Sequence, residues 1–338
     1  MPPRVLVAPD SFKGTLSASE AADACATGVG LAGCSPEACP VADGGEGTMR
    51  ILVEALGGCV VRRKATDPLG RPLDVALGIA GREAIVEVAE ASGLGLLAPS
   101  ELDPERTSTT GTGELIVAAR DLGARRILVA AGGSATVDGG AGAIKAIRAS
   151  GDLPDCHLTV LCDVETAFED APRTYGPQKG ASPEAVRRLG ARLDLMAAEF
   201  RRDPRGLPLT GAAGGLSGGL WAEFGAELVP GADFVLDVID FDRRLDRADA
   251  VIVGEGRLDA QTFAGKAVGR IAARCRRSDV PVHAVVGSSG LAPSETAALG
   301  LASVRVASNR ADVVSAAQEL ATELRGTSPA SATSGLPV

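Results

Sequence analysis

The chain reads as an α/β protein, with a Rossmann- or flavodoxin-like parallel-sheet domain interrupted by a second, inserted α/β domain. Three observations carry that reading. Short apolar runs alternate with helical stretches at both ends of the 338-residue chain, the pattern of a parallel sheet. Neither end alone holds enough strands for a usual sheet, whereas together they hold five. Several apolar runs also break off into glycine-rich loops carrying a charge or a hydroxyl, where open α/β sheets take their ligands.

Each element follows from local chemistry. Residues 5–8 form a short apolar strand. Residues 17–30 form a helix, with Ser17 as N-cap and Glu20 three residues on. A second strand covers 37–41, and the Asp43-Gly44-Gly45-Glu46-Gly47 loop then opens a helix through Leu56. Near the other end, strands at 249–253, 280–286 and 303–307 alternate with helices at 266–277, 293–299 and 311–324. The middle differs. A turn cluster at 66–72 precedes alternating strands at 73–79 and 84–88. A helix at 114–122, strands at 127–131 and 158–162 and a long helix at 183–201 follow. The expected division is residues 1–62 plus 240–325 as a discontinuous Rossmann-like domain and 63–239 as the insertion. Residues 326–338, small, polar and proline-containing, are expected to be a disordered tail.

Composition excludes several classes. The net charge is −9, and one Trp and one Tyr offer little for base stacking, which argues against nucleic acid. No apolar run is long enough to span a bilayer, and Pro2-Pro3-Arg4 runs straight into a strand with no signal peptide before it. Seven cysteines without paired spacing, beside only two histidines, read as free thiols in a reducing cytoplasm rather than a zinc site. A homo-oligomer is compatible with the chain.

The most informative stretch is Gly-Gly-Ser-Ala-Thr-Val-Asp-Gly-Gly-Ala-Gly, residues 132–142, directly after the apolar run 127–131. Glycine lets a backbone approach an anion, and successive N–H groups can then point at it. Gly132 and Gly133 supply that backbone, Ser134 and Thr136 add hydroxyls, and Asp138 is a candidate metal ligand. The competing reading is a tight turn that serves packing alone. Similar segments stand at 8–14, 42–48, 109–114, 176–180, 211–216 and 254–259. One polar, anion-handling cleft accounts for all of them, whereas a packing explanation must account for each. Lys13, Arg71, Arg106, Lys179, Arg257 and Lys266 lie in or beside such loops on an acidic chain; since most such residues are merely solvated, about half are expected to touch a ligand. Gly28-Val-Gly-Leu-Ala-Gly33 matches the dinucleotide fingerprint in form only. It lies at the far end of a helix, where glycine is a C-cap, so an oxidoreductase is disfavoured.

Taken in order, these loops resemble the type 1 glycerate kinase family of bacteria. The matching pieces are 8–14, 42–48, 90–94, 111–116, 132–136 with 138–142, 176–181, 211–216 and 254–259 with Gln261-Thr262. The resemblance implies ATP-dependent phosphorylation of D-glycerate, with the 2-hydroxyl favoured, a divalent metal such as Mg²⁺, and a Rossmann-like domain interrupted by another. The chain departs from the family pattern in three places. Val137 stands where the family usually has Asn, the stretch between Gly142 and Leu158 is shortened, and Asp163-Val-Glu-Thr-Ala-Phe168 replaces an Asp-Val-x-Asn-Pro-Leu segment. The last two put one cleft wall in question.

Phosphoryl transfer asks for positioning, charge neutralisation and a base. On this reading Gly132, Gly133, Ser134 and Thr136 cradle phosphate, and Lys13 and Lys179 neutralise the transferred group. Asp163, at the end of the 158–162 strand, takes the hydroxyl proton; its competing role is a turn or N-cap aspartate. Asp10, Ser11, Asp43, Gly44, Gly45 and Glu46 are expected substrate or phosphate contacts, and Arg257 a clamp on the substrate carboxylate. Asp138, Glu255 and Asp259 are the metal candidates. Two competing functions remain, a kinase of another small hydroxy acid and a non-catalytic sensor of glycerate or nucleotide. A sensor need not keep a base and metal carboxylates, and this chain keeps several.

Overall fold

The computed structural model describes residues 2–12, 14–259, 262 and 266–327, so Lys13, Gln261 and the tail from 328 on lie outside the described residues. The strands, in chain order, are β1 (Arg4–Pro9), β2 (Ser35–Ala38), β3 (Cys59–Thr66), β4 (Pro72–Ala80), β5 (Glu83–Glu87), β6 (Arg126–Ala130), β7 (His157–Cys162), β8 (Glu227–Pro230), β9 (Ala250–Glu255), β10 (Val282–Val286) and β11 (Leu301–Val306). Helices cover most of the remainder, which makes the chain a mixed α/β protein. No helix among the described residues is long and apolar enough to cross a membrane.

One sheet is entirely parallel, in the order β11-β10-β9-β1-β2. Counted along its own strands this is the doubly wound 2-1-3-4-5 order, whose switch point lies between β1 and β9. Val5 pairs with Ala250, and the Asp10 amide donates to Gly254 O at 2.8 Å, so the two strand ends are stitched where the chain direction of winding reverses.

The second sheet runs β3-β4-β5-β6-β7-β8. The pairs β3–β4 and β4–β5 are antiparallel, and β5 through β8 are parallel. β6 lies in its interior, and Ile127 to Ala130 are wholly buried, as expected of a strand covered on both faces. Two of its strands escape the sequence pattern. β3 carries Arg62 and Lys64 on exposed positions with Arg63 between them, which breaks the apolar signal; β8 is four residues long and ends in proline, an edge-strand composition.

The described residues separate into two compact units, one holding those up to Val41, those from Asp240 to Thr262 and those from Val268 on, the other Ala42–Ile239 with Lys266 and Ala267. Residues 42–62 therefore sit with the second unit. The reason is packing: the helix Thr48–Ala55 lies on β4 and β5, and β3 is an edge of their sheet. Aromatics are scarce, so both cores are built of Val, Leu, Ile and Ala. Phe168 is an exception, fully buried and edge-on to Phe200 with ring centroids 5.9 Å apart.

The helix Ala18–Leu31 shows how local chemistry and packing divide the glycines. It opens on the expected box, with Ser17 Oγ accepting from the Glu20 amide at 3.3 Å and Glu20 Oε2 accepting from the Ser17 amide at 2.9 Å. It closes on Gly33, whose φ of +77° an L side chain resists, with the Cys34 amide returning to Val29 O at 3.2 Å. Gly28 has a different reason to be glycine. A Cβ there would lie 2.2 Å from Val314 O on the helix Arg310–Thr327, so its absence lets two helices of the same unit touch. Gly28→Ala gains roughly 1 kcal/mol of helix propensity but overpacks this crossing, which costs about 1–3 kcal/mol. The expected outcome is a lower urea midpoint; a raised midpoint would refute the close-packed crossing.

Candidate active site

The carboxyl ends of β5, β6 and β7 lie side by side, with Glu87 paired to Ala130 and Ala130 to Leu161. Ligands of open α/β sheets bind at such strand ends. β6 runs into the 132–142 loop, and β7 runs into Asp163. The 43–47 loop arrives from the other side. The Gly132 amide donates to Gly44 O at 3.3 Å, and a Cβ on Gly132 would stand 2.4 Å from Gly45 Cα and 3.1 Å from Asp163 Oδ2. Two main chains touch there, so only glycine fits, and the Asp163 carboxylate lies beside the contact. Asp43 Oδ1 accepts from the Gly45 amide at 3.0 Å, an Asx turn that shapes the incoming loop. Glu46 is exposed.

Other glycine-rich segments hold this loop in place. The Ala135 amide donates to Ser92 O at 2.8 Å and the Leu94 amide to Gly133 O at 2.9 Å. Thr107 Oγ1 donates to Ala135 O at 3.0 Å, and Ser92 Oγ lies 2.8 Å from Thr112 Oγ1. On the far side the Gly139 amide donates to Gly214 O at 3.1 Å. The 90–94, 111–116 and 211–216 motifs thus meet around one loop.

Asp138 has a role other than the expected metal ligand. It is 1% exposed. Its Oδ2 accepts from the Thr109 amide and hydroxyl, each at 2.9 Å, and from the Gly142 amide at 3.1 Å, while Oδ1 accepts from the Gly140 amide at 3.1 Å. Four donors occupy the carboxylate, so it organises its own loop. Among the described residues no group of three or more His, Cys, Asp or Glu side chains is placed to hold a metal.

Lys179 is brought to the loop as expected. It sits on the 3₁₀ turn Pro177–Lys179, is 4% exposed, and donates to Ser134 Oγ at 2.8 Å and to Thr136 O at 2.7 Å. Burial pushes its pKa down to about 7, against the pull of the Asp163 and Asp138 charges. Two neighbours escaped the sequence reading. Tyr175, the chain's only tyrosine, is half-buried, its ring 5.9 Å from Lys179 Nζ and its hydroxyl 2.5 Å from Thr166 Oγ1. Burial raises the phenol's pKa, and the nearby Asp163 charge adds to the rise. Glu87, 4% exposed, accepts from the Gly47 amide at 2.9 Å and the Met49 amide at 3.1 Å. Tyr175 could have been suspected from its uniqueness beside the 176–181 motif; Glu87 sits in an apolar run and gives no local signal.

The remaining site candidates belong to the other unit. Asp10 follows β1 and accepts from the Ser11 amide at 2.6 Å, while Glu255, 5% exposed at the end of β9, accepts from Thr262 Oγ1 at 2.8 Å. They flank that sheet's switch point. Arg257 is exposed, with Nε 3.7 Å from Asp259 Oδ2. Arg71 is not drawn to the loop at all, since it pairs with Asp67 and with Glu101 at 2.6 Å. The shortened 143–157 stretch runs from the helix Ala141–Ala149 to the amino end of β7, opposite to Asp163, so it does not form the wall beside that carboxylate. A cavity of about 660 Å³ opens at that same amino end, between Leu153, Cys156, Arg201 and Phe224. It lies at the strand ends opposite Asp163 and Lys179, and we do not place the site there.

Fold and rim define an α/β protein whose glycine-rich loops gather at parallel strand ends. A family model described as the glycerate kinase family matches residues 5–152 and 147–332, and the chain belongs to that family. The two matched segments meet inside the stretch that reads as shortened. The glycerate kinase of Bacillus subtilis (strain 168) is 39% identical over 327 aligned positions, covering 84% of this chain and 85% of the relative. The glycerate 2-kinase of Escherichia coli (strain K12) is 36% identical over 326 positions, covering 84% and 85%. A crystal structure provisionally assigned as glycerate kinase 2 from Salmonella typhimurium LT2 superposes with a TM-score of 0.78 at 34% identity, over 96% of this chain and 99% of that one.

The account of Asp138 is testable. Asp138→Asn turns an acceptor oxygen into an NH₂ group that meets N–H donors. Leaving buried donors unsatisfied costs about 1–3 kcal/mol, so the melting temperature should fall and added Mg²⁺ should not restore it. A melting temperature recovered by Mg²⁺ would return Asp138 to the metal ligands.

Proposed function

We propose that the chain is a glycerate kinase that transfers the γ-phosphoryl group of ATP to the 2-hydroxyl of D-glycerate, releasing ADP and 2-phosphoglycerate. One observation carries the reading: the Asp163 carboxylate and the buried Lys179 both border the Gly132–Thr136 stretch at the ends of β6 and β7. The hydroxyl oxygen of glycerate forms the new P–O bond, the bond to ADP breaks, and Asp163 takes the hydroxyl proton. Lys179 and the backbone N–H groups of Gly133 and Ser134 meet the charge on the transferred group, whereas the Gly132 N–H, expected among these donors, is taken by Gly44 O. Ser134 Oγ, which accepts from Lys179, keeps its own proton for a phosphate oxygen. Lys13 is assigned the same neutralising role through the family resemblance.

Asp10, Ser11, Asp43, Gly44, Gly45 and Glu46 are proposed substrate or phosphate contacts, and Arg257 a carboxylate clamp that exchanges Asp259 for substrate. Mg²⁺ fits this chain as an ion that arrives on the nucleotide, since Mg²⁺ sites commonly combine one or two carboxylates with substrate phosphates. Glu255 and Asp259 are the proposed carboxylates, and the ion would neutralise phosphate charge. A cytoplasmic setting is supported by seven free cysteines, of which five are buried. A homo-oligomer remains compatible with the chain.

A coupled assay for ADP release with D-glycerate, L-glycerate and tartronate tests the reading, and turnover with none of the three would end it. Asp163→Asn should lower kcat by about two to four orders of magnitude, the usual span for a lost general base. KM for glycerate should move far less, because an amide still hydrogen-bonds a hydroxyl. Near-normal turnover would remove Asp163 as the base.

Lys179 gives a pH-dependent signature. Its folded pKa lies below the ordinary lysine value, so between about 7 and that value the unfolded chain binds the extra proton. Stability contributed by this lysine is therefore present at high pH and is lost as pH falls through about 7. At pH 8 the free protein holds it mostly neutral, and a bound triphosphate favours the charged form. ATP binding at pH 8 should then take up a proton, read as a binding enthalpy that varies with buffer ionisation enthalpy. Lys179→Met should abolish that variation; an unchanged uptake would remove Lys179 from the phosphate site.

A further inference from the structure

We infer that Glu87 is a positioning residue for phosphoryl transfer, clamping the 43–47 loop so that Gly44 and Gly45 hold their place against Gly132. The inference rests on the kinase reading above. It starts from an orphaned helix end. The helix Thr48–Ala55 has Gly47 as its N-cap, with φ +92° and no side chain to accept from the first-turn amides. Glu87, forty residues further along at the end of β5, does that work from outside, with Oε1 on the Gly47 amide and Oε2 on the Met49 amide. A carboxylate there is also favoured by the helix dipole.

The position is a poor one for a carboxylate that serves packing alone. Glu87 is buried, and Glu90 and Glu46 are the charged neighbours acting on it, both acidic. Burial foremost, with those two charges adding, pushes its carboxyl up to about 7 against the two amide bonds. What the arrangement secures is the next link. The Gly47 amide fixes one end of the 43–47 loop, the Asp43 turn fixes the other, and the middle touches Gly132 beside Asp163. A loop that slackens at Gly47 frees Gly132, and with it the backbone donors of Gly133 and Ser134.

The test uses the full chain and two readouts. Glu87→Gln keeps size and removes one of the two acceptors, since the amide NH₂ faces an N–H donor. Amide hydrogen exchange should quicken at least about tenfold over residues 44–49 with little change elsewhere, as expected for local rather than global opening. In steady state kcat should fall by about 100-fold, the scale of a misplaced reacting group, with a smaller change in KM for glycerate. Glu87→Asp keeps the charge and should restore part of kcat; it also carries both readouts if the Gln variant does not fold. Unchanged exchange at 44–49, or quickened exchange with normal kcat, overturns the positioning role. If the wild-type chain does not turn over glycerate, the kinase reading fails, and the exchange measurement still decides whether Glu87 clamps the loop.

Discussion

Two main chains meet at Gly132 and Gly45 with no space between them for a methyl group. The candidate site depends on that contact. Backbones pressed this closely must each be held from behind, and buried carboxylates do the holding. Asp138 gathers four donors on the Gly132 side, and Glu87 gathers two on the other. A buried charge is expensive unless hydrogen bonds surround it, and both carboxylates meet that condition with amides of the loops they organise. Acidic side chains thus shape the cradle, while its buried cation, Lys179, is held by a hydroxyl and a carbonyl.

This arrangement changes the meaning of the glycine-rich motifs. Only part of them points at a ligand. The 90–94, 111–116 and 211–216 segments give their carbonyls, amides and hydroxyls to the 132–142 loop and to each other. A motif of small polar residues can therefore serve a site indirectly, by fixing the loop that borders it.

Much of the fold was legible because the period of the apolar residues changes cleanly between strand and helix, and several strand ends run into glycine. β3 and β8 were not, since charged exposed positions on one and brevity on the other erase the pattern. That Ser134, Asp163 and Lys179 lie near one another could be read from residue type and from their place at strand ends or in glycine loops. The donors that Asp138 gathers were not legible, because residue type does not reveal which donors a carboxylate meets; two of its four come from Thr109, twenty-nine residues upstream. Glu87 was invisible for the same reason, since its partners lie across the sheet from an unremarkable apolar run. Gly28 looked like punctuation and proved to be a contact with a helix near the other end of the chain.

The pairing of Val5 with Ala250 also has a history in time. During synthesis β1 and β2 emerge first, yet the central strand of their sheet, β9, is made only after the whole Ala42–Ile239 unit. That unit is nearly continuous in sequence and can complete its core on the ribosome, as domains generally do. The opening strands must wait, with one edge of β1 unpaired, for a long-range closure of the kind that slows folding. Strands made before the Ala42–Ile239 unit are thus among the last to find their partners.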